Sequence, residues 1–161
     1  MRWGILAGLL FVCAGTAPAQ VAHHPAHFAA LSPQASQAAE TVDAFHAALR
    51  RGDTDGAAML LAAGAVIFEG GDVERSKAEY AAHHLGADAQ FAAAVPSKVS
   101  RRSGSVIGNM AWVATEGRTT GSFKGRDVDS VTTETAILER VGSNWKIVHL
   151  HWSSRKAGAA D

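Results

Sequence analysis

The sequence holds a single cysteine, Cys13, and it lies in a segment expected to be removed on export. The mature chain would then carry no thiol. That excludes disulfide stapling even in an oxidising compartment, a cysteine-based zinc site and a cysteine nucleophile. There is no excess of charge either, since 15 Lys and Arg stand against 15 Asp and Glu. Loss of Arg2 with the leader would tip that balance by one toward acid, so nothing suggests a nucleic-acid binder. Arg101-Arg102 reads as a solvated strand face rather than a basic patch. The apolar run from Trp3 to Ala14 is too short for a stable membrane anchor. Tyrosine is nearly absent as well, with Tyr80 standing alone.

What the N-terminus does contain is a secretory signature. Arg2 forms a short basic region, the apolar run follows, and Ala17-Pro18-Ala19 is a small-residue cleavage site. Acylation of Cys13 is disfavoured, because bulky Phe11 and Val12 precede it. Residues 1–19 are therefore expected to be a signal peptide, which would place the mature protein in the periplasm or outside the cell. Residues 20–31 form a small His-rich leader, 32–155 one domain and 156–161 a tail. His23, His24 and His27 in the leader are either copper, nickel or zinc ligands or an incidental polar tail.

Three helices are expected in the first half of the domain. Ser32-Pro33 supplies a capping hydroxyl and a first-turn proline. Ala38, Val42, Phe45 and Leu49 then fall on one stripe, which ends at Arg50-Arg51-Gly52. Asp53 caps a second helix through Leu60-Leu61. A short strand over Ala65–Phe68 runs into Glu69 and the turn Gly70-Gly71-Asp72. Ser76-Lys77-Ala78-Glu79 matches a capping box, opening a third helix as far as Val95 and stopped by Pro96. Tyr80, His84, Ala87 and Phe91 lie on one face of it, with Asp88 near His84 by four-residue spacing.

From Ser97 onward the pattern is β. Strands are expected over 98–107, 111–123, 127–141 and 144–155, joined by short glycine-containing turns and hence antiparallel. In the last of these, alternation places Trp145, Ile147, His149, His151 and Ser153 on one face. Lys146, Val148, Leu150, Trp152 and Ser154 fall on the other. Neither face is plainly polar, so this strand should be central. The fold class is α+β: a curved, mostly antiparallel sheet wrapped as a cone over three N-terminal helices.

Three stretches carry a family resemblance. They are Phe45-His46-Ala47-Ala48-Leu49-Arg50-Arg51-Gly52-Asp53, then Leu60-Leu61-Ala62 leading into Val66-Ile67-Phe68-Glu69, and Trp145 to Ser153. Together they resemble the nuclear transport factor 2-like superfamily, in its SnoaL-like and ketosteroid-isomerase-like bacterial branch. The last stretch is similar to the final strand of the association domain of calcium/calmodulin-dependent kinase. The resemblance covers about residues 32–155 and implies a pocket between the concave sheet and the helices, and a homodimer formed through the sheet. It also implies that Trp152 lines the pocket, with Val148 and Leu150 beside it by parity, and that His149 and His151 face the dimer interface. Because the family includes isomerases, cyclases, dehydratases, oligomerisation domains and binding modules, the fold by itself leaves function open.

Candidate chemistry follows residue by residue. Glu69 ends its strand at the mouth of an apolar pocket, where a raised pKa would make it a base; the alternative is a solvated turn residue. Glu134, mid-strand between Thr133 and Thr135, either faces the pocket or pairs with Arg118 or Arg126. His84 beside Tyr80 is an acid/base candidate or a core histidine bonded to a carboxylate or carbonyl. Tyr80, Phe91, Val148, Leu150 and Trp152 are the expected ligand contacts. His149 and His151, two apart on one face, could chelate a divalent metal through N and O donors alone, as could Glu79 with His83 at helical spacing. Ketosteroid isomerases pair an Asp base with a Tyr and a protonated Asp. Here Tyr80 has no evident Asp pair to complete that set, and Ser153-Ser154 lack the context of a nucleophile elbow.

The expected function is that of an exported small-molecule-binding protein. The alternatives are a cofactor-independent isomerase, cyclase or dehydratase using Glu69, His84 or Glu134, and a histidine-based metal binder.

Overall fold

The computed structural model describes residues 31–158. The expected signal peptide and all of the expected His-rich leader but Leu31 fall outside the described residues. The elements are α1 (Pro33–Arg50), α2 (Thr54–Leu60), β1 (Leu61–Glu69), β2 (Asp72–Glu74), α3 (Lys77–His83), α4 (Leu85–Ala94), β3 (Ser97–Ile107), β4 (Met110–Phe123), β5 (Arg126–Val141) and β6 (Asn144–Lys156). No described helix is long and apolar enough to cross a membrane.

α1 forms where its sequence says it should. The Ser32 hydroxyl accepts from the Ala35 N–H at 3.1 Å and Pro33 opens the first turn. The stripe of Ala38, Val42, Phe45 and Leu49 is buried throughout. Gly52 ends the helix with φ +70°, a left-handed conformation that glycine adopts at little cost. Asp53 caps α2 through the Gly56 N–H at 2.8 Å. Ser76 caps α3 through the Glu79 N–H at 3.0 Å, while the Glu79 carboxylate reaches back one residue further than a capping box requires, to the Arg75 N–H at 2.7 Å.

The sheet runs β2-β1-β6-β5-β4-β3, with β1 and β6 parallel and every other pair antiparallel. β6 is thus interior, and the sheet is curved and unclosed. Three irregularities interrupt its register, the first in β1, where Leu61 pairs with Ile147 but Val66 pairs with His149. Ser100 is an extra residue in β3 between Val99 and Arg101, and Val148 is one in β6, where Leu138 pairs with Ile147 but Ile137 pairs with His149. The β4–β5 hairpin turns through Lys124 at φ 49° and Gly125 at φ 75°, the two successive left-handed residues that a tight two-residue turn requires. α1 packs across the concave face. There Phe45, Tyr80, Val113, Leu138, Ile147 and Leu150 are fully buried in one core.

Three expectations need correction. The third helix is two helices, broken at His84, whose N–H bonds the Tyr80 carbonyl while its own carbonyl accepts from Ala87 and Asp88. The break lets the His84 ring turn to Glu74 on β2, and Gly86 just beyond it weakens any continuous helix. Secondly, Gly70-Gly71 does not simply end a strand: it makes a hairpin to β2, in which Phe68 pairs with Val73 and Glu69 with Asp72. Lastly, strict alternation in β6 fails. The bulge at Val148 puts Trp145, Ile147, Leu150 and Trp152 on the core side together.

Candidate functional site

A cavity of about 630 Å³ lies between the helices and the concave sheet. Phe91 and Val95 wall it from the α4 side, Val99 and Thr115 from β3 and β4, and Trp152 from β6. Its polar floor is centred on Glu134. Alternation along β5 turns Glu134 inward with Ala136 and Leu138, and leaves Thr133 and Thr135 exposed. Glu134 is 8% exposed, and its Oε2 accepts two hydrogen bonds at 2.5 Å, from His46 Nε2 on α1 and from Trp152 Nε1 on β6. Its Oε1 is sealed and has no hydrogen-bond partner among the described residues. Burial pushes this carboxyl up, but the hydrogen bond and charge of His46, the Trp152 bond and the Arg102 charge outweigh it and hold the group below its ordinary value. Arg102 is itself held by Asp43 of α1 at 2.8 Å and by the Thr115 hydroxyl at 3.1 Å. The expected arginine partners of Glu134 are engaged elsewhere or distant: Arg118 makes a two-pronged bond to Asp129, 2.7 Å at each prong.

A second polar group stands where β1 meets the helices. Glu69 and Asp88 line both the main cavity and a smaller one of about 260 Å³, which Tyr80, Glu74 and His84 also line. The Tyr80 hydroxyl donates to Asp88 Oδ2 at 2.7 Å. Burial, with the Asp88 charge and bond, pushes the Tyr80 phenol well up. Burial likewise raises Asp88 against the opposing Tyr80 bond and His84 charge. Glu69 is an exposed residue at the edge of both cavities. Burial and the neighbouring Asp88 charge raise its carboxyl to about 7, with His84 opposing and Asp72 adding. The His84 ring bonds Glu74 Oε1, and His83 Nδ1 stands 3.4 Å from Glu74 Oε2. The Glu74 bond raises His84 against desolvation. For Glu74, burial raises and the two histidine bonds lower, with a net fall.

The predicted residues thus separate. Glu69 and Glu134 both line the main cavity, while His84 turns to the smaller one and to Glu74. Phe91 and Trp152 line the main cavity and Tyr80 the smaller. Val148 sits at the bulge and Leu150 is fully buried in the core, and neither lines either of these two cavities. His149 donates Nδ1–H to the Val66 carbonyl at 2.9 Å. Its ring and that of His151 flank Phe68 edge-on, with centroids at 4.9 and 5.9 Å, on the outer face of the sheet.

Among the described residues, the one group of three with ligating atoms within 4.8 Å of each other is Glu74, Glu79 and His83, and it does not include His149 or His151. Glu79 already holds the Arg75 N–H, and each Glu74 oxygen faces a histidine. His46, Arg102 and Asp88 were not among the expected site residues. His46 was detectable, since its position one residue after Phe45 and four after Val42 puts it on the edge of the apolar stripe of α1.

The profile of the SnoaL-like domain matches residues 38–155. The chain belongs to the SnoaL-like family. A Shewanella frigidimarina protein, provisionally named a ketosteroid isomerase, is similar at 37% identity and a TM-score of 0.72, over 77% of this chain and 100% of that one. A Xanthomonas campestris protein, provisionally named a calcium/calmodulin-dependent protein kinase II association domain, matches at 22% identity and 0.67, over 79% and 93%. A nuclear transport factor 2-like superfamily protein of Salmonella enterica matches at 17% and 0.65, over 79% and 95%. The last two show the fold alone. No curated protein matches the chain.

Proposed function

We propose that this SnoaL-like protein is an exported, homodimeric binder of a small amphipathic molecule. One observation carries the reading. Between helices and sheet the chain leaves about 630 Å³ unfilled, a volume of ordinary ligand-pocket size. Its apolar walls meet a floor of oriented polar groups at Glu134, His46 and Arg102. Export rests on Arg2, the apolar run and Ala17-Pro18-Ala19. Pairing of two copies is supported by the outer sheet face, where Phe68 is 38% exposed between His149 and His151.

The test is native mass spectrometry of the untagged mature protein purified from its own host without chelator. A dimer carrying an organic adduct is expected. An adduct-free chain at every preparation would count against the binding reading, and a monomer against the pairing.

A second reading is favoured by Glu69. A carboxyl near 7, opening on a cavity beside Asp88 and Tyr80, is suited to taking and returning a proton at neutral pH. On this reading the protein is a cofactor-independent isomerase, cyclase or dehydratase. Turnover that survives intact in Glu69→Gln would refute it.

A further inference from the structure

The hydrogen bonds around Glu134 determine more than the position of a carboxylate. An ionised carboxylate only accepts, so each group bonded to Oε2 must supply a hydrogen. Trp152 Nε1–H is a donor under all conditions, and it occupies Oε2 from the β6 side. His46 must then place its hydrogen on Nε2. A neutral imidazole carries one hydrogen, which leaves Nδ1 as a lone-pair acceptor. The ring cannot readily turn away, because Phe45 meets it edge-on at 5.6 Å and Trp152 packs at 6.2 Å. Nδ1 has no hydrogen bond within the described residues, and unlike Glu134 Oε1 it is not sealed. His46 borders the cavity with 29% of its side chain exposed.

We propose that Nδ1 of His46 is the docking acceptor of the cavity, and that the cavity takes a molecule without negative charge that presents an O–H or N–H hydrogen to it. This rests on the reading that the cavity holds a small molecule. The exclusion of anions follows from the lining. Four carboxyl groups, Asp43, Glu69, Asp88 and Glu134, border the cavity against the guanidinium groups of Arg50 and Arg102, and Arg102 is already held by Asp43. A carboxylate or phosphate ligand would meet this excess of acid. A hydroxyl on an apolar body meets Nδ1 at the floor, with Phe91, Val95 and Val99 against the remainder.

The first test needs no ligand. Long-range ¹H–¹⁵N spectra of the histidine rings in the full chain, near pH 8, should show His46 as the Nε2–H tautomer, assigned by the signal missing from His46→Gln. The Nδ1–H tautomer, or a ring protonated on both nitrogens, would overturn the inference. The second test uses 2-naphthol and its methyl ether, 2-methoxynaphthalene, as paired probes. Wild type should bind the naphthol about tenfold more tightly than the ether, the equivalent of one hydrogen bond. His46→Lys keeps an N–H to offer Glu134 but has no hydrogen-bond acceptor, so it should lose that preference. An equal preference in both proteins, or none in wild type, overturns the assignment of Nδ1. If neither probe binds while a native organic adduct is found, this inference alone fails; if the adduct is also missing, the cavity reading fails with it. Should His46→Lys not fold, the wild-type tautomer and the wild-type preference for naphthol still decide.

Discussion

Glu69→Gln should change how stability depends on pH, in a direction that can be worked out beforehand. In the folded chain the Glu69 carboxyl titrates at about 7, against an ordinary value of 4.5. Between those two values the folded state holds a proton that the unfolded state has released. Stability therefore falls as pH rises from the lower value toward the higher, and levels off above it. Each pKa unit corresponds to about 1.4 kcal/mol, so the whole shift sets a ceiling of about 3 kcal/mol. Because Glu69 is exposed, solvent screening reduces this to on the order of 1 kcal/mol. Glutamine has the shape of the protonated form and does not ionise, so the variant should gain about that much on wild type between pH 4.5 and pH 8. The measurement is urea unfolding of both proteins at half-unit pH steps, with m-values compared to confirm that the same transition is followed. Parallel stability curves over that range would show that Glu69 is an ordinary surface carboxylate. The proton-transfer reading would lose its main support with it.

Three further outcomes are expected. Phe45→Ala opens the centre of the core beneath the cavity and should cost about 3–5 kcal/mol in urea unfolding, whereas a cost below 1 kcal/mol would mean that α1 does not pack as described. Trp152→Phe removes one of the two donors to Glu134 while keeping an aromatic wall, and should cost about 1–3 kcal/mol. Glu134 is held below its ordinary pKa, so its contribution is full above the unfolded carboxyl range and is lost as pH falls through its folded value; Glu134→Gln should flatten the acid limb of the stability curve, and an unchanged limb would refute the His46–Glu134–Trp152 arrangement.

What was legible in the sequence was local. The caps at Ser32, Asp53 and Ser76, the stripe on α1 and the four long strands each depend on residues within a turn or a strand of one another. The site depends on residues far apart in the chain. Glu134 stood out as an acid amid threonines, yet its partners come from 88 positions earlier and 18 later, and no spacing rule joins them. Tyr80 and Asp88 would lie about 12 Å apart along a continuous helix, and only the break at His84 brings them into hydrogen bonding. For the histidines of β6 alternation offered either a chelating pair or an interface face, and it could not show that Phe68, from a strand parallel to theirs, stands between their rings.

The bulge in β6 has an evolutionary corollary. Val148 is the extra residue, flanked by Ile147 and Leu150 on the core side and His149 on the outer side. Were it deleted, plain alternation would return every neighbour to the face it already occupies. Relatives could therefore lose or gain this one position without exchanging an inward residue for an outward one. The change would appear in the bend of the strand and hence in the breadth of the chamber beneath it. Family members with the same lining residues could in this way select ligands of different girth, and an alignment would record the difference only as a single gap.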